Sequence, residues 1–199
     1  LASTLSATRL ANLTAQLEPH FLLNALNTIS ELMYSDPALA RHLLNGLSQL
    51  LASVLGDQRA TWTWAEERIH TMHYVDFIEA RFGDRISVLL SLPSQLEHLP
   101  LPRFAIQGLV ENAVKHNQDR RERLLIEVVA EHRGGHVSVS VADNGRGFSR
   151  YADGGYTRHG GLARLEQVLG LLYGPGARLE RVYSASPGAR VTLRLPNVP

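Results

Sequence analysis

The hydrophobic period changes partway along this 199-residue chain, and that change limits its fold more than any other feature. Up to about residue 80, apolar residues recur at three- and four-residue spacing, as in helices with one buried face. Beyond that point, "RISVLLSLP", "LLIEVVAEH" and "HVSVSVADN" alternate apolar with polar residues, as in half-buried strands. A helical N-terminal part followed by a mixed helix and strand part is therefore expected.

In the first part, Leu10, Leu13 and Leu17 keep helical spacing, and Leu22, Ala25, Leu26, Ile29 and Met33 share one broad face. His20, Asn24, Asn27 and Glu31 fall in a narrow band opposite, so His20 heads a polar stripe that a partner can reach. Pro19 precedes it within the helical pattern, where an interior proline costs about 3 kcal/mol; a kink is expected there. Asp36 and Pro37 read as N-cap and first residue of a second helix. That helix carries Leu39, Leu43, Leu44, Leu47, Leu50, Leu51, Val54 and Leu55, and ends at Gly56. A lone hairpin cannot hide so much leucine, and two copies forming a four-helix bundle can. A third helix opens with the capping box Thr63 and Glu66 and stops near Gly83. His70 and His73 within it lack an evident third metal ligand, and solvated surface is the expectation for both.

In the second part, Ile86, Val88, Leu90 and Leu92 mark a strand, and Pro102 is expected to open a helix through "RFAIQGLVENAVKHN". Two strands meet at a hairpin about Arg133-Gly134-Gly135, and two more around Pro187-Gly188. Between these hairpins, "LARLEQVLGLLYG" reads as a helix. The expected class is α+β: a helical hairpin, then a two-layer sandwich of helices on mostly antiparallel strands. The expected division is 1–62 for the hairpin, 63–84 for a connector helix and 85–199 for the sandwich.

The chain has no cysteine, which removes disulfides and thiolate chemistry. Its net charge of +1 gives no field toward nucleic acid. No apolar run reaches the about 18–20 residues of a membrane span and no signal peptide pattern is present. The chain starts at Leu1 without a methionine, as a piece of something longer would.

Three stretches carry chemistry. In "GLVENAVKHN", Ile106, Leu109, Val110, Ala113 and Asn117 take one side of a helix; Gly108, Glu111, Asn112 and Lys115 take the other. Amide and carboxylate oxygens together suit a hydrated magnesium ion, and Lys115 suits a phosphate; a solvated helix face is the plain alternative. In "VADNGRGF", Asp143 ends a strand and Gly145 and Gly147 let backbone approach a flat ligand, although Asp-Asn-Gly is also ordinary turn chemistry. In "HGGLARL", glycines lead into a helix N-terminus, a natural anion site or a plain flexible loop. Neither GxxxxGK[ST] nor a complete GxGxxG occurs, which excludes P-loop and Rossmann sites.

In their order, these stretches resemble the GHKL (Bergerat-fold) ATP-binding superfamily, and within it the LytS-like sensor histidine kinases. "LVENAVKHN" resembles the N box, "DNGRGF" the G1 box and "GGLARL" the G2 box. "QLEPHFLLNALNTI" resembles the phosphoacceptor motif, and the likeness runs over residues 10–196. The resemblance implies a cytoplasmic two-component kinase core, dimeric, using ATP and Mg2+. Phosphoryl would go from His20 to a response-regulator receiver domain, of the LytTR class. Membrane attachment would come only through a region upstream. His20 would be the phosphorylated residue, with Glu111 positioning or deprotonating it and Asn112 holding the metal. Lys115, His116 and Asn117 would line the phosphate side. Asp143, with Gly145 and Gly147, would receive adenine, and Gly160 and Gly161, with Leu162 beside them, would meet the phosphates under a lid of residues 149–159. Glu18, His159, Arg164 and Ala189 depart from the family pattern, the last three in places that bear on lid closure and phosphate grip. A GHKL ATPase without phosphohistidine chemistry, or an ATP-binding scaffold, are the other readings.

Overall fold

A computed structural model describes residues 19–57, 59–91, 93–133, 135–147, 161–182 and 188–196. They fall into two compact units, one of residues up to Arg59 with His73–Arg81, the other of Ala60–Met72 with the residues from Phe82 onward.

The first unit begins with helices α1 (Pro19–Ser35) and α2 (Pro37–Gly56). Asp36 alone joins them: its Oδ1 accepts the Leu39 N–H at 3.0 Å, and Pro37 follows in the first helical turn. Both features agree with the sequence reading, because a cap is a local interaction. The residues preceding Pro19, with Leu10, Leu13, Leu17 and the kink expected at Pro19, lie outside the described residues. Ala25 and Ile29 of α1 pack with Ala40, Leu43, Leu47 and Leu50 of α2 and with Phe77. Phe77 belongs to helix α3 (Trp64–Phe82), which gives residues 73–81 to this unit. The Phe21 ring meets Phe77 edge-on at 5.6 Å. Polar contacts join the same helices: His42 Nε2 lies 2.8 Å from Asp76 Oδ2, and His73 Nε2 lies 2.9 Å from Gln49 Oε1. A Cβ at Gly46 would stand 3.2 Å from His73 Nδ1, so α2 leaves room there for the imidazole. His73 is thus half-buried rather than solvated surface, and burial lowers its pKa.

In the second unit, short strand β1 (Thr61–Thr63) leads directly into α3. The expected capping box is present: Thr63 N–H donates to Glu66 Oε2 at 2.8 Å and Glu66 N–H to Thr63 Oγ1 at 3.2 Å. His70, also expected on solvated surface, is half-buried and stacks on the Trp62 ring at 4.2 Å. A 3₁₀ turn then gives way to β2 (Ile86–Ser91), with Ile86 and Val88 buried; Leu92 lies outside the described residues. Strand β3 (Pro100–Pro102) pairs antiparallel with β1, Trp62 opposite Leu101.

Helix α4 starts at Ala105 and ends at Lys115. Pro102 therefore does not open it. The proline closes an edge strand, where its missing N–H is tolerated, and the chain turns through Phe104, whose φ is +59°.

Strands β4 (Leu124–Arg133) and β5 (His136–Asp143) form the expected hairpin, with Arg133 opposite His136 and Gly135 at φ +76°. Helix α5 (Gly161–Tyr173) and strands β6 (Arg178–Val182) and β7 (Arg190–Pro196) complete the unit. The described residues form a five-stranded sheet in the order β2-β4-β5-β7-β6. Only β2 and β4 run parallel in it, since a helix-bearing crossover joins them.

Alternation assigns the sheet's faces. Ile126, Val128, Ala130, Val137, Val139, Val141, Val191, Leu193 and Leu195 are buried on the face that carries α4 and α5, while Leu125, Glu127 and Glu131 are exposed on the other. The two-layer α+β class follows directly. Among the described residues no helix is long and apolar enough to cross a membrane.

Leu193 is fully buried and Leu125 is 46% exposed. Leu193→Ala is expected to cost about 2–5 kcal/mol, and Leu125→Ala about 0.5 kcal/mol or less. Denaturant unfolding followed by a probe in the sheet unit checks the contrast.

Candidate functional site

Helix α4 forms one wall of a cleft. Ile106, Leu109, Val110, Ala113 and Val114 are buried, fixing the helix to the sheet. That leaves Glu111 and Asn112 half-buried and Gly108, Lys115 and His116 exposed. Asn112, Ala113, His116 and Asn117 line the cleft from this side, and Asp143, Arg146, Gly147 and Ala189 line it from the other.

Asp143 is the last residue of β5. Its Oδ1 accepts the Gly145 N–H at 2.7 Å and, at longer range, the Ala189 N–H at 3.4 Å and Asn117 Nδ2 at 3.5 Å. The Asp143 N–H donates in turn to the Ala189 carbonyl at 2.8 Å. Burial raises the Asp143 pKa, and the N–H donors and Arg120 oppose that rise. Oδ1 is thus committed to holding the turn, and Oδ2 is the oxygen that can accept from a ligand's amino group.

Glycines let the backbone segments close up. A Cβ at Gly145 would lie 2.1 Å from Asn117 Oδ1, and one at Gly188 would lie 2.1 Å from the Asp143 carbonyl oxygen. Gly147 has φ +75°, and a Cβ there would lie 2.9 Å from the Gly188 carbonyl oxygen. At these positions the Asn117 amide and the Asp143 and Gly188 carbonyls occupy the place a side chain would take, so only glycine lets the turn close.

Two amides lock this arrangement. Asn117 is 6% exposed; its Nδ2 donates to the Ala113 carbonyl at 2.8 Å and its Oδ1 accepts the Arg146 N–H at 3.0 Å. It therefore ties the end of α4 to the turn after Asp143, beside Asp143 itself. Asn144 Oδ1 accepts the Leu125 N–H at 2.8 Å and Nδ2 donates to the Arg123 carbonyl at 3.1 Å, extending the pairing of β4 with β5. Arg120 Nη1 donates to the Asn144 carbonyl at 2.5 Å.

The structure thus brings together Asn112, His116, Asn117, Asp143, Gly145 and Gly147, with Glu111 and Lys115 on the same helix. Gly161 is the exposed first residue of α5, and Leu162 is buried at 6% exposure. Gly160, the lid and His159 lie outside the described residues. His20 stands in the first turn of α1, in the other unit, and its side chain lies outside the described residues. Sequence reasoning passed over Asn144 and took Gly188 for a hairpin glycine only. The signal for both is the register, since Ala142 opposite Arg190 carries Gly188 to Asp143. Of the departures from the family pattern, Ala189 keeps both main-chain bonds to Asp143, and Arg164 is exposed on α5.

Among the described residues no group of three or more His, Cys, Asp or Glu could hold a metal ion. The Asn112 amide oxygen at the cleft nevertheless fits a hydrated magnesium ion, which takes few protein ligands when it is bound through a nucleotide's phosphates.

Gly145→Ala is expected to cost about 1–3 kcal/mol, because the new methyl group meets the Asn117 amide. In the Asn117→Ala background the same change should cost about 1 kcal/mol less. Unfolding of the four proteins in a double-mutant cycle measures that coupling.

Residues 8–86 match the family described as histidine kinases, and residues 99–199 match that of histidine kinase-, DNA gyrase B- and HSP90-like ATPases. Sensor protein LytS of Staphylococcus haemolyticus is 41% identical over 139 residues, 69% of this chain and 24% of that protein. Sensor protein LytS of Streptococcus agalactiae is 35% identical, covering 93% of this chain and 33% of that protein. Sensor histidine kinase BtsS of Escherichia coli is 32% identical, with 92% and 32% covered. The chain spans about a quarter to a third of the length of these curated relatives. In fold, it is similar to the catalytic domain of histidine kinase ThkA, at TM-score 0.51, 19% identity, and 69% and 94% coverage. It is likewise similar to Acinetobacter baumannii histidine kinase AdeS, at TM-score 0.52, 14% identity, and 80% and 79% coverage. Membership of the ATPase family implies ATP as the bound nucleotide. With both regions matched, the chain belongs to the LytS-like sensor histidine kinases of the GHKL ATPase superfamily.

Proposed function

We propose that this chain autophosphorylates on His20 with ATP and passes the phosphoryl group to an aspartate of a response-regulator receiver domain. The observation that carries the reading is the Asp143 carboxylate, Oδ1 held by backbone N–H groups under a glycine turn and Oδ2 left to the cleft that Asn112 also lines. In this reading Oδ2 accepts the adenine amino group, and Gly145, Gly147 and Gly188 let the turn that holds Asp143 close. Asn112 would hold a hydrated Mg2+, which would neutralise phosphate charge. Lys115 and His116, with Gly160, Gly161 and Leu162 at the start of α5, belong to the phosphate end. Asn117 supports that end from beside Asp143.

Phosphoryl transfer asks the protein mainly for positioning. The His20 imidazole, neutral, attacks the γ-phosphorus, the bond from that phosphorus to the β,γ-bridging oxygen breaks and ADP leaves, while Glu111 holds or takes the proton on the other ring nitrogen. The phosphohistidine then yields its phosphoryl to the receiver aspartate. Residues 1–62 serve as phosphoacceptor hairpin, 63–84 as connector and 85–199 as ATP-binding domain, working in the cytoplasm with a LytTR-class regulator.

Incubation with γ-labelled ATP and magnesium tests this. The chain should acquire acid-labile, alkali-stable label, and His20→Gln and Asn112→Ala should each lose it. Steady phosphate release without label would support a GHKL ATPase instead, and absent nucleotide binding would support a scaffold.

The hairpin also supports a homodimer. Leu23, Leu26 and Met33 on α1 are 62%, 52% and 59% exposed, and Leu44 and Leu55 on α2 are 49% and 60%. Each set recurs at helical spacing in a stripe outside the core, where the matching stripes of a second copy would complete a four-helix bundle. Sedimentation should find a dimer, and Leu26→Glu with Leu55→Glu should shift it to monomer.

A further inference from the structure

We infer that Glu67 positions the nucleotide-bearing helix: from α3 it caps the start of α4, and the placement of Glu111 and Asn112 depends on that cap. The inference rests on the kinase reading for its consequence in catalysis, but not for its geometry.

The first N–H groups of a helix have no partner within it, and a local Ser, Thr, Asp or Asn usually supplies one. Helix α4 has none: Phe104 stands at its N-cap without a side-chain cap bond. Instead, Glu67 Oε1 accepts the Phe104 N–H at 2.5 Å and Oε2 accepts the Ile106 N–H at 2.9 Å, from 37 and 39 residues earlier in the chain. Glu67 is completely buried. A buried carboxylate is costly unless it is bonded, and it is bonded here to the donors that α4 most needs satisfied. Burial pushes the carboxyl up to about 8, opposed by the N–H groups of Ile106 and Phe104 and by the Arg103 charge.

The surroundings are shaped to the same end. Among the described residues Phe104 is the one non-glycine residue at positive φ, at +59°. Such a conformation costs about 1–3 kcal/mol and persists only where neighbours enforce it. The Trp62 ring lies 4.7 Å from that of Phe104, and the Arg103 guanidinium stands 4.6 Å from the Trp62 centroid and 5.2 Å from that of Phe104. Glu67 and Trp62 thus fix the angle at which the chain enters α4. Glu111 and Asn112 follow Ile106 by less than two helical turns, about 9 Å at most, so a tilt at the entry moves both. The opposite end of α4 is held separately, by Asn117 on the Asp143 turn.

Loss of the cap should therefore slow transfer while leaving base binding nearly intact. The full chain is compared with Glu67→Gln, which keeps one acceptor oxygen at the right reach, and with Glu67→Ala. At saturating ATP, His20 labelling is expected to fall about tenfold for Glu67→Gln and about a hundredfold for Glu67→Ala, with the ADP Kd within about threefold of the unaltered chain. Amide hydrogen exchange at Phe104 and Ile106 should quicken about tenfold or more in Glu67→Gln, while exchange in β7 stays unchanged. A labelling rate equal to the unaltered chain's in both variants overturns the inference. So does a loss of ADP affinity matching the loss of rate, which is the pattern of a merely destabilised fold. If the unaltered chain binds ADP but takes no label, the kinase reading has failed, and exchange decides for Glu67 alone: unchanged protection at Phe104 and Ile106 overturns the cap.

Discussion

The candidate site depends on how closely three backbone segments approach at the end of β5. The Gly188 Cα sits where a side chain would strike the Asp143 carbonyl, and Gly145 sits where one would strike the Asn117 amide. This proximity lets N–H groups of Gly145 and Ala189 reach one oxygen of a half-buried carboxylate. Without it, burial would push Asp143 further toward its neutral form, and a neutral acid is a poorer acceptor for an amino group. The glycines therefore serve the electrostatics of the aspartate as much as the shape of the turn.

What could be read from sequence was what is local. Asp36 caps the residues beside it, and Thr63 and Glu66 bond across a single turn. The alternation of Val137, Val139 and Val141 needs only the two-residue period of a strand. The unread parts involve partners far apart in the chain. Pro102 looked like a helix start because proline favours that position. Its pairing with Thr61 across the β1–β3 ribbon took precedence, and three-residue strands have no period to detect. Glu67 drew no reading from sequence, because an acid in a first helical turn is common and favoured by the helix dipole. Its partners begin 37 residues later. His70 and His73 were read as surface because neither Trp62 nor Gln49 can be linked to them by spacing alone.

Helix α3 contributes residues to both units. Its first half meets the sheet unit, through Glu67 and Trp64, and its second half meets the hairpin, through Phe77 and the His73 contact. Buried Trp64, Glu67, Thr71, Tyr74, Val75 and Ile78 recur at three- and four-residue spacing as one stripe, but two of its members are polar while apolar Ile69 and Met72 lie outside it, which blurs the pattern.

The departures from the family pattern can be sorted by the same geometry. Ala189 departs from the family pattern, yet its contribution to the Asp143 turn is made by main-chain atoms that any residue supplies. Arg164 and His159 belong instead to the glycine-rich entry of α5, where the proposed site meets phosphate rather than base. In the proposed site the base end thus keeps its hydrogen bonds, while two of the four changes, His159 and Arg164, stand at the α5 entry that the proposal gives to phosphate. Because phosphoryl transfer is governed chiefly by orientation, substitutions confined to that end bear on rate far more than on affinity. The two ends of α4 repeat the division. Asn117 ties the end of α4 to the turn after Asp143, 29 residues further along the chain, and Glu67 fixes the entry that leads to Glu111 and Asn112 from 37 and 39 residues earlier.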